Sequence, residues 1–246
     1  MPAQTSLETE AHLWIARPGE IRDPELLLAY DALLNAEERQ KVARYRFEKD
    51  RHMSLVTRAL VRTVLSRYAD VLPGDWRFVL NAYGRPEIQE PEEERSLRFN
   101  LSHTEGLVVC LVSRGREVGV DVEDRLRGGE LLDVADRFFS PFEVKALRSL
   151  PPEEQLDRFF LYWTLKESYI KARGMGLAIS LSAFSFDLDS PGRGIRILFD
   201  PSLEDDPGRW RFSAMSYGRR YAIAAGIEWK PDTDVRIVLR ETVPLA

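Results

Sequence analysis

Three features of the sequence predict an α+β protein, with helices segregated from antiparallel strands. A helix-periodic stretch runs from about Asp50 to Tyr68, apolar strand-like runs fill the middle of the chain, and a helix from about Pro152 to Arg173 precedes further short strands. The 246 residues suffice for one large domain or two small ones, and 44% hydrophobic with 30% charged residues describe an ordinary globular chain. Forty acidic against 35 basic side chains give a net charge of −5, which argues against a dedicated nucleic-acid binder. Cys110 is the only cysteine, so no internal disulfide forms, and its apolar run Leu107–Val112 makes it a packing residue. The N-terminus lacks the basic and apolar regions of a signal peptide, and no apolar stretch is long enough to cross a bilayer, so a cytoplasmic protein is expected.

The elements follow in order. Asn35-Ala36-Glu37-Glu38 has the form of a capping box and marks a helix start. In the next helix Leu55, Val56, Ala59, Leu60, Val64 and Tyr68 recur at helical spacing, while Arg51, Ser54, Arg58 and Arg62 fall along its other side. By itself that side reads as a solvated basic face. Leu97 to Leu101 reads as a short strand, and Leu107–Val112 and Glu117–Val122, joined through Arg114-Gly115, as a hairpin. Helices are expected at Leu131–Phe139, after the capping box Ser140-Pro141-Phe142-Glu143, and from Pro152 to Arg173, ending at Gly174. Phe184/Phe186/Leu188, Ile195–Phe199, Arg211–Met215 and Tyr221–Ile227 read as an antiparallel meander. A faint internal echo pairs Arg98-Phe99, opening one strand, with Arg211-Phe212, opening another, with Arg114–Glu117 near the midpoint.

Two segments carry chemistry. On a strand, Val118-Gly119-Val120-Asp121-Val122-Glu123 puts Gly119, Asp121 and Glu123 on one face. Two carboxylates beside a glycine repel each other unless a cation lies between them, although an isolated pair of this kind usually marks a polar edge strand. On the last long helix Phe160, Trp163, Glu167, Ile170 and Lys171 share one stripe. A carboxylate within an aromatic stripe is costly to bury unless paired or metal-bound. A Glu167–Lys171 helix salt bridge is the modest explanation; a third acid for the Asp121/Glu123 site is the sharper one. An all-oxygen donor set favours magnesium or manganese over zinc, and magnesium commonly takes substrate phosphates.

The pattern V-G-x-D-x-E, followed about forty residues later by W-x-x-K-E-x-x-x-K, resembles the 4′-phosphopantetheinyl transferases. The resemblance extends to Tyr83-Gly84-Arg85-Pro86, to Phe99-Asn100-Leu101-Ser102-His103 and to the Asp50–Arg62 helix, covering the chain from about Asn35 to Phe186. The length resembles the single-chain Sfp type with two similar lobes, not the short trimeric carrier-protein synthases. It implies an N-terminal lobe over 1–115 holding coenzyme A, a C-terminal lobe over 116–246 holding the metal site, and a monomer.

By position, the resemblance makes Asp121, Glu123 and Glu167 the magnesium ligands, with manganese as a substitute, and makes Glu167 the base. Lys171 is placed on the pyrophosphate, and Lys166 becomes a substrate contact. Ser102 and His103 lie beside the coenzyme A phosphates, Arg85 on the 3′-phosphate, and Arg44, Arg51, Ser54 and Arg58 form a phosphate clamp. Trp163 is read as packing. The segment from Asp124 to Phe139, with Leu126, Leu131 and Leu132, is expected to receive an apolar helix of the carrier. Glu38 and Glu48 depart from the pattern, since relatives often place further lysines in this region; this weakens the case for Lys41 and Arg44. The implied partners are acyl or peptidyl carrier proteins, as in polyketide and nonribosomal-peptide synthesis, with no nucleic acid or membrane. A metal-dependent phosphohydrolase and a non-catalytic carrier-binding module are the alternatives.

Overall fold

The computed structural model describes residues 5–128, 131–190, 194–231 and 234–246. In chain order its elements are β1 (Glu10–Ala16), α1 (Pro24–Ala32), α2 (Ala36–Ala43), α3 (Glu48–Leu65), β2 (Arg77–Leu80), β3 (Pro86–Glu90), β4 (Leu97–Thr104) and β5 (Leu107–Arg114). They continue with β6 (Val118–Asp124), α4 (Leu131–Phe138), α5 (Pro141–Arg148), α6 (Pro152–Arg173), β7 (Phe184–Asp187), β8 (Arg196–Phe199), β9 (Trp210–Tyr217), β10 (Tyr221–Glu228) and β11 (Arg236–Glu241). None of the described helices is long and apolar enough to cross a membrane.

The chain forms two compact units. The first holds Met1–Leu80, Pro86–Gly115 and Val235–Ala246; the second holds Asn81–Arg85 and Arg116–Asp234. The C-terminal segment expected in the second lobe therefore belongs to the first unit, because β11 pairs in parallel with β1. The turn Asn81–Arg85 belongs to the second.

In unit 1 the sheet order is β11-β1-β5-β4. β5 is apolar on both faces and buried along nearly its whole length, so it needs a neighbour on each side, and β1 and β4 supply them. This overturns the expected hairpin of Leu107–Val112 with Glu117–Val122: neither edge of β5 is open, and β6 pairs with β10 instead. α3 buries Val56, Ala59, Leu60 and Val64 in a core with Trp14, Tyr30, Val108, Cys110 and Val112. α2 begins at the Asn35 capping box as expected, with Glu38 closing it.

In unit 2 the sheet order is β6-β10-β9, and β7 and β8 form a separate ribbon, so the expected single meander is divided. α6 ends at Gly174, whose φ of +63° suits a residue without a side chain. Phe159, Phe160, Tyr162, Leu165 and Tyr169 pack from α6 into a core with Phe184, Phe186 and Trp210.

Each unit runs strand, two short helices, long helix, two-stranded ribbon, hairpin. β1 corresponds to β6, α3 to α6, β4 to β9 and β5 to β10; in both sheets the hairpin's second strand is central. Arg98 and Arg211 each occupy the second position of matching strands, which accounts for the echo in the sequence.

Candidate active site

The site of unit 2 begins with Gly119. A Cβ built there would lie 2.0 Å from the Ser168 carbonyl oxygen and 2.4 Å from the Ala172 nitrogen, so α6 rests directly on the β6 backbone. Across the ladder Gly119 faces Gly226, Asp121 faces Ala224, and Glu123 faces Ala222. Small residues on β10 thus leave space on the face where the two acids project.

Asp121 is buried, and Lys171 Nζ on α6 lies 2.6 Å from its Oδ1. Glu123 accepts from the Trp163 indole N–H at 3.1 Å and from Arg127 at 3.3 Å. Burial, followed by the charge of Asp121, raises the Glu123 pKa. Glu167 accepts no hydrogen bond from the described residues. Burial, then Asp121 and Glu123 acting against Lys171, pushes its carboxyl up to about 7. The three acids therefore feel one another electrostatically. Among the described residues, no three acid, histidine or cysteine side chains are placed closely enough to hold one ion between them.

Lys166 is corrected. Its ammonium is fully buried, 2.7 Å from Glu143, and donates to the carbonyls of Leu181 and Phe184 at 2.7 Å each. It is a strut inside unit 2 and does not face substrate. Arg85, expected on the 3′-phosphate, donates its guanidinium to the Ala172 carbonyl and to Glu117, both at 2.9 Å, capping the C-terminus of α6. Asn81 donates to the Gly174 carbonyl beside it at 2.8 Å.

Unit 1 holds a cleft of about 1010 Å³ whose lining includes Lys41, Tyr45, Ser54, Arg58, Phe78, Leu101 and His103. Arg44, Arg51 and Ser102 are not among its lining residues. Arg44 is exposed at the end of α2, Ser102 is buried on β4, and Arg51 donates to the carbonyls of Tyr45 and Arg46. Glu38 binds Arg58 at 3.0 Å and the buried Arg62 at 2.7 Å, so part of the basic face is neutralised within the unit. Sequence reasoning missed the polar role of Trp163 and the pairing of Glu143 with Lys166. Tryptophan's single N–H offers the only clue to the first, and nothing local signals the second.

The chain matches the family model described as 4′-phosphopantetheinyl transferase superfamily over residues 117–225. It matches 4′-phosphopantetheinyl transferase, N-terminal, over residues 22–115. The 4′-phosphopantetheinyl transferase HetI of a Nostoc species is 37% identical over 178 residues, covering 72% of this chain and 74% of that protein. The Bacillus subtilis 4′-phosphopantetheinyl transferase Sfp is 32% identical over 181 residues, covering 74% and 77%. A crystal structure of a holo-(acyl-carrier-protein) synthase from Bacillus anthracis in complex with CoA (3′,5′-ADP) is 22% identical, with a TM-score of 0.38 over 46% of this chain and 94% of that one. Two family models that together span both units, and relatives matched over most of their length, establish that the chain belongs to the 4′-phosphopantetheinyl transferase superfamily.

Proposed function

We propose that the chain transfers 4′-phosphopantetheine from coenzyme A to a serine of an acyl or peptidyl carrier protein, releasing 3′,5′-ADP. The observation that carries this reading is the state of Glu167: a buried carboxyl held near pH 7, one helical turn from Lys171 and within the field of Asp121 and Glu123. A base poised near the working pH is suited to taking a hydroxyl proton.

Glu167 accepts the proton of the carrier serine. The serine oxygen bonds to the phosphorus that carries pantetheine as the bridging P–O bond breaks, and Lys171 stabilises the leaving phosphate. Asp121, Glu123 and Glu167 are all oxygen donors, the kind a hard divalent cation takes, and burial, followed by the charge of Asp121, raises the pKa values of Glu123 and Glu167. Magnesium, or manganese in its place, would neutralise pyrophosphate charge there. His103 and Arg58 on the unit 1 cleft are assigned to coenzyme phosphates. The enzyme is proposed to act as a cytoplasmic monomer.

Incubating candidate carriers with coenzyme A and magnesium should add the mass of one phosphopantetheine, and exhaustive EDTA treatment should abolish the reaction. Glu167→Gln should lower turnover by at least about 10²-fold while coenzyme A affinity stays within about tenfold. Near-normal turnover in the folded variant would refute the assignment. Coenzyme A breakdown without a carrier would instead favour a phosphohydrolase.

A further inference from the structure

We propose that Arg85 and Asn81 are positioning residues for Lys171: they hold the last turn of α6 closed, so that the ammonium stays where the leaving phosphate forms. This rests on the proposed transfer reaction and on Lys171 as the cation on its leaving group.

A helix end leaves its last four carbonyls without partners, and its dipole favours a cation there. In α6 these carbonyls lie in the turn that carries Lys171. The Arg85 guanidinium donates to the Ala172 carbonyl at 2.9 Å and, at 3.5 Å, to that of Lys171 itself. Asn81 donates to the Gly174 carbonyl at 2.8 Å. Gly174 makes the approach possible, since a Cβ there would lie 2.7 Å from Arg85 Cζ.

The clamp is stiff, and it is anchored at the strand as well. Asn81 Oδ1 accepts from the backbone N–H groups of Tyr83 and Arg85 at 2.9 and 3.0 Å, so the amide that holds the helix also closes its own turn. Arg85 pairs at 2.9 Å with Glu117, the residue just before β6, and its side chain is only 15% exposed, unlike that of a solvated ion pair. One guanidinium therefore ties the start of β6, which carries Asp121, to the end of α6, which carries Lys171. Those two side chains meet at 2.6 Å. A lysine on a flexible four-carbon stem takes its place from the backbone beneath it and from its partner, and fraying of the last turn moves that backbone.

Arg85→Met keeps much of the side chain's length and removes the donors; Asn81→Ala removes the amide. Both are assayed as full chains with coenzyme A, magnesium and candidate carriers. Each should lower kcat at least about tenfold per folded molecule, a misplacement of about 1 Å being enough for about 10²-fold, with the coenzyme A KM unchanged. In Arg85→Met the preference for coenzyme A over 3′-dephospho-coenzyme A should also hold. A raised coenzyme A KM with that preference lost overturns the inference and makes Arg85 a ligand of the 3′-phosphate. Lower thermal stability with normal kcat overturns it too, leaving a purely structural cap. Lys171→Met alone should slow turnover, and adding Arg85→Met should slow it no further, because the clamp acts through the lysine. Losses that multiply overturn the inference and leave the transfer reading intact. A wild type that modifies no carrier overturns both.

A second measurement needs no activity. The backbone amides of Tyr169 to Arg173 should exchange hydrogen faster in both single variants than in wild type, as expected of a turn that has lost its cap. Unchanged protection there overturns the inference.

Discussion

Lys166 and Glu143 form an ion pair at 2.7 Å with neither side chain exposed, immediately beside the proposed base Glu167. Glu143 also closes the Ser140 capping box of α5 and accepts from the Phe186 backbone N–H at 2.9 Å. One pair thus ties α5, α6 and β7 together. Burial lowers the Lys166 pKa to about 8 against the opposing pull of Glu143.

Removing one partner strands the other. Lys166→Met should cost about 3–5 kcal/mol in urea unfolding, because Glu143 would be left as a buried charge. Coenzyme A affinity of the fraction that stays folded should be near wild type. A stable variant with a raised coenzyme A KM would return Lys166 to the role of a substrate ligand.

Glu167 makes stability depend on pH in a defined sense. Its folded pKa of about 7 lies above the ordinary 4.5, so the folded state holds the proton more tightly. The contribution is fully present below about pH 4.5 and is lost as pH rises through 7. Without divalent ions, wild type should lose roughly 2–3 kcal/mol more than Glu167→Gln between pH 5 and pH 8. Equal losses in thermal melts at the two pH values would show that the carboxyl is not perturbed.

Gly119→Ala should separate β6 from α6. The added carbon meets backbone, which cannot rotate aside. A loss of about 3 kcal/mol or more is expected in denaturant unfolding, with turnover falling beyond what the unfolded fraction explains. A variant as stable and active as wild type would mean that the close approach is not needed.

Carrier docking is expected on exposed apolar side chains between β6 and α6. Leu126 is 75% exposed and Phe142 49%, whereas Leu131, expected from the sequence to take part, is 9% exposed and belongs to the core. Gly129 and Glu130, in the same stretch, lie outside the described residues. Leu126→Asp and Phe142→Asp should raise the carrier KM several-fold and leave the coenzyme A KM unchanged. An unaltered carrier KM in both would place docking elsewhere.

The parts of the site that obey local periodicity were legible in the sequence. Alternation along β6 places Gly119, Asp121 and Glu123 on one face, and the helical repeat aligns Trp163, Glu167 and Lys171. Partners set by folding were not. Arg85 looks like a free cation until the end of α6 meets it, and Lys166 until Glu143 does. β1 escaped notice because it is buried on both faces yet carries Glu10 and His12. His12 bonds Tyr68 at 2.5 Å and Glu10 at 2.8 Å, pairings that no periodicity announces. β5 and β6 looked like a hairpin because a short Gly-containing link is the usual sign of one; the two-sided burial of β5 decides otherwise.

The exchange of segments between the units bears on how the chain can be divided. A cut after Gly115 would release an N-terminal fragment without β11, leaving the β1 edge open to pairing with other chains. The C-terminal fragment would lack Asn81 and Arg85, and the last carbonyls of its catalytic helix would lose their donors. Each half thus carries a piece that completes the other, so the repeat of elements visible in the topology does not mark a seam along which the chain can be cut.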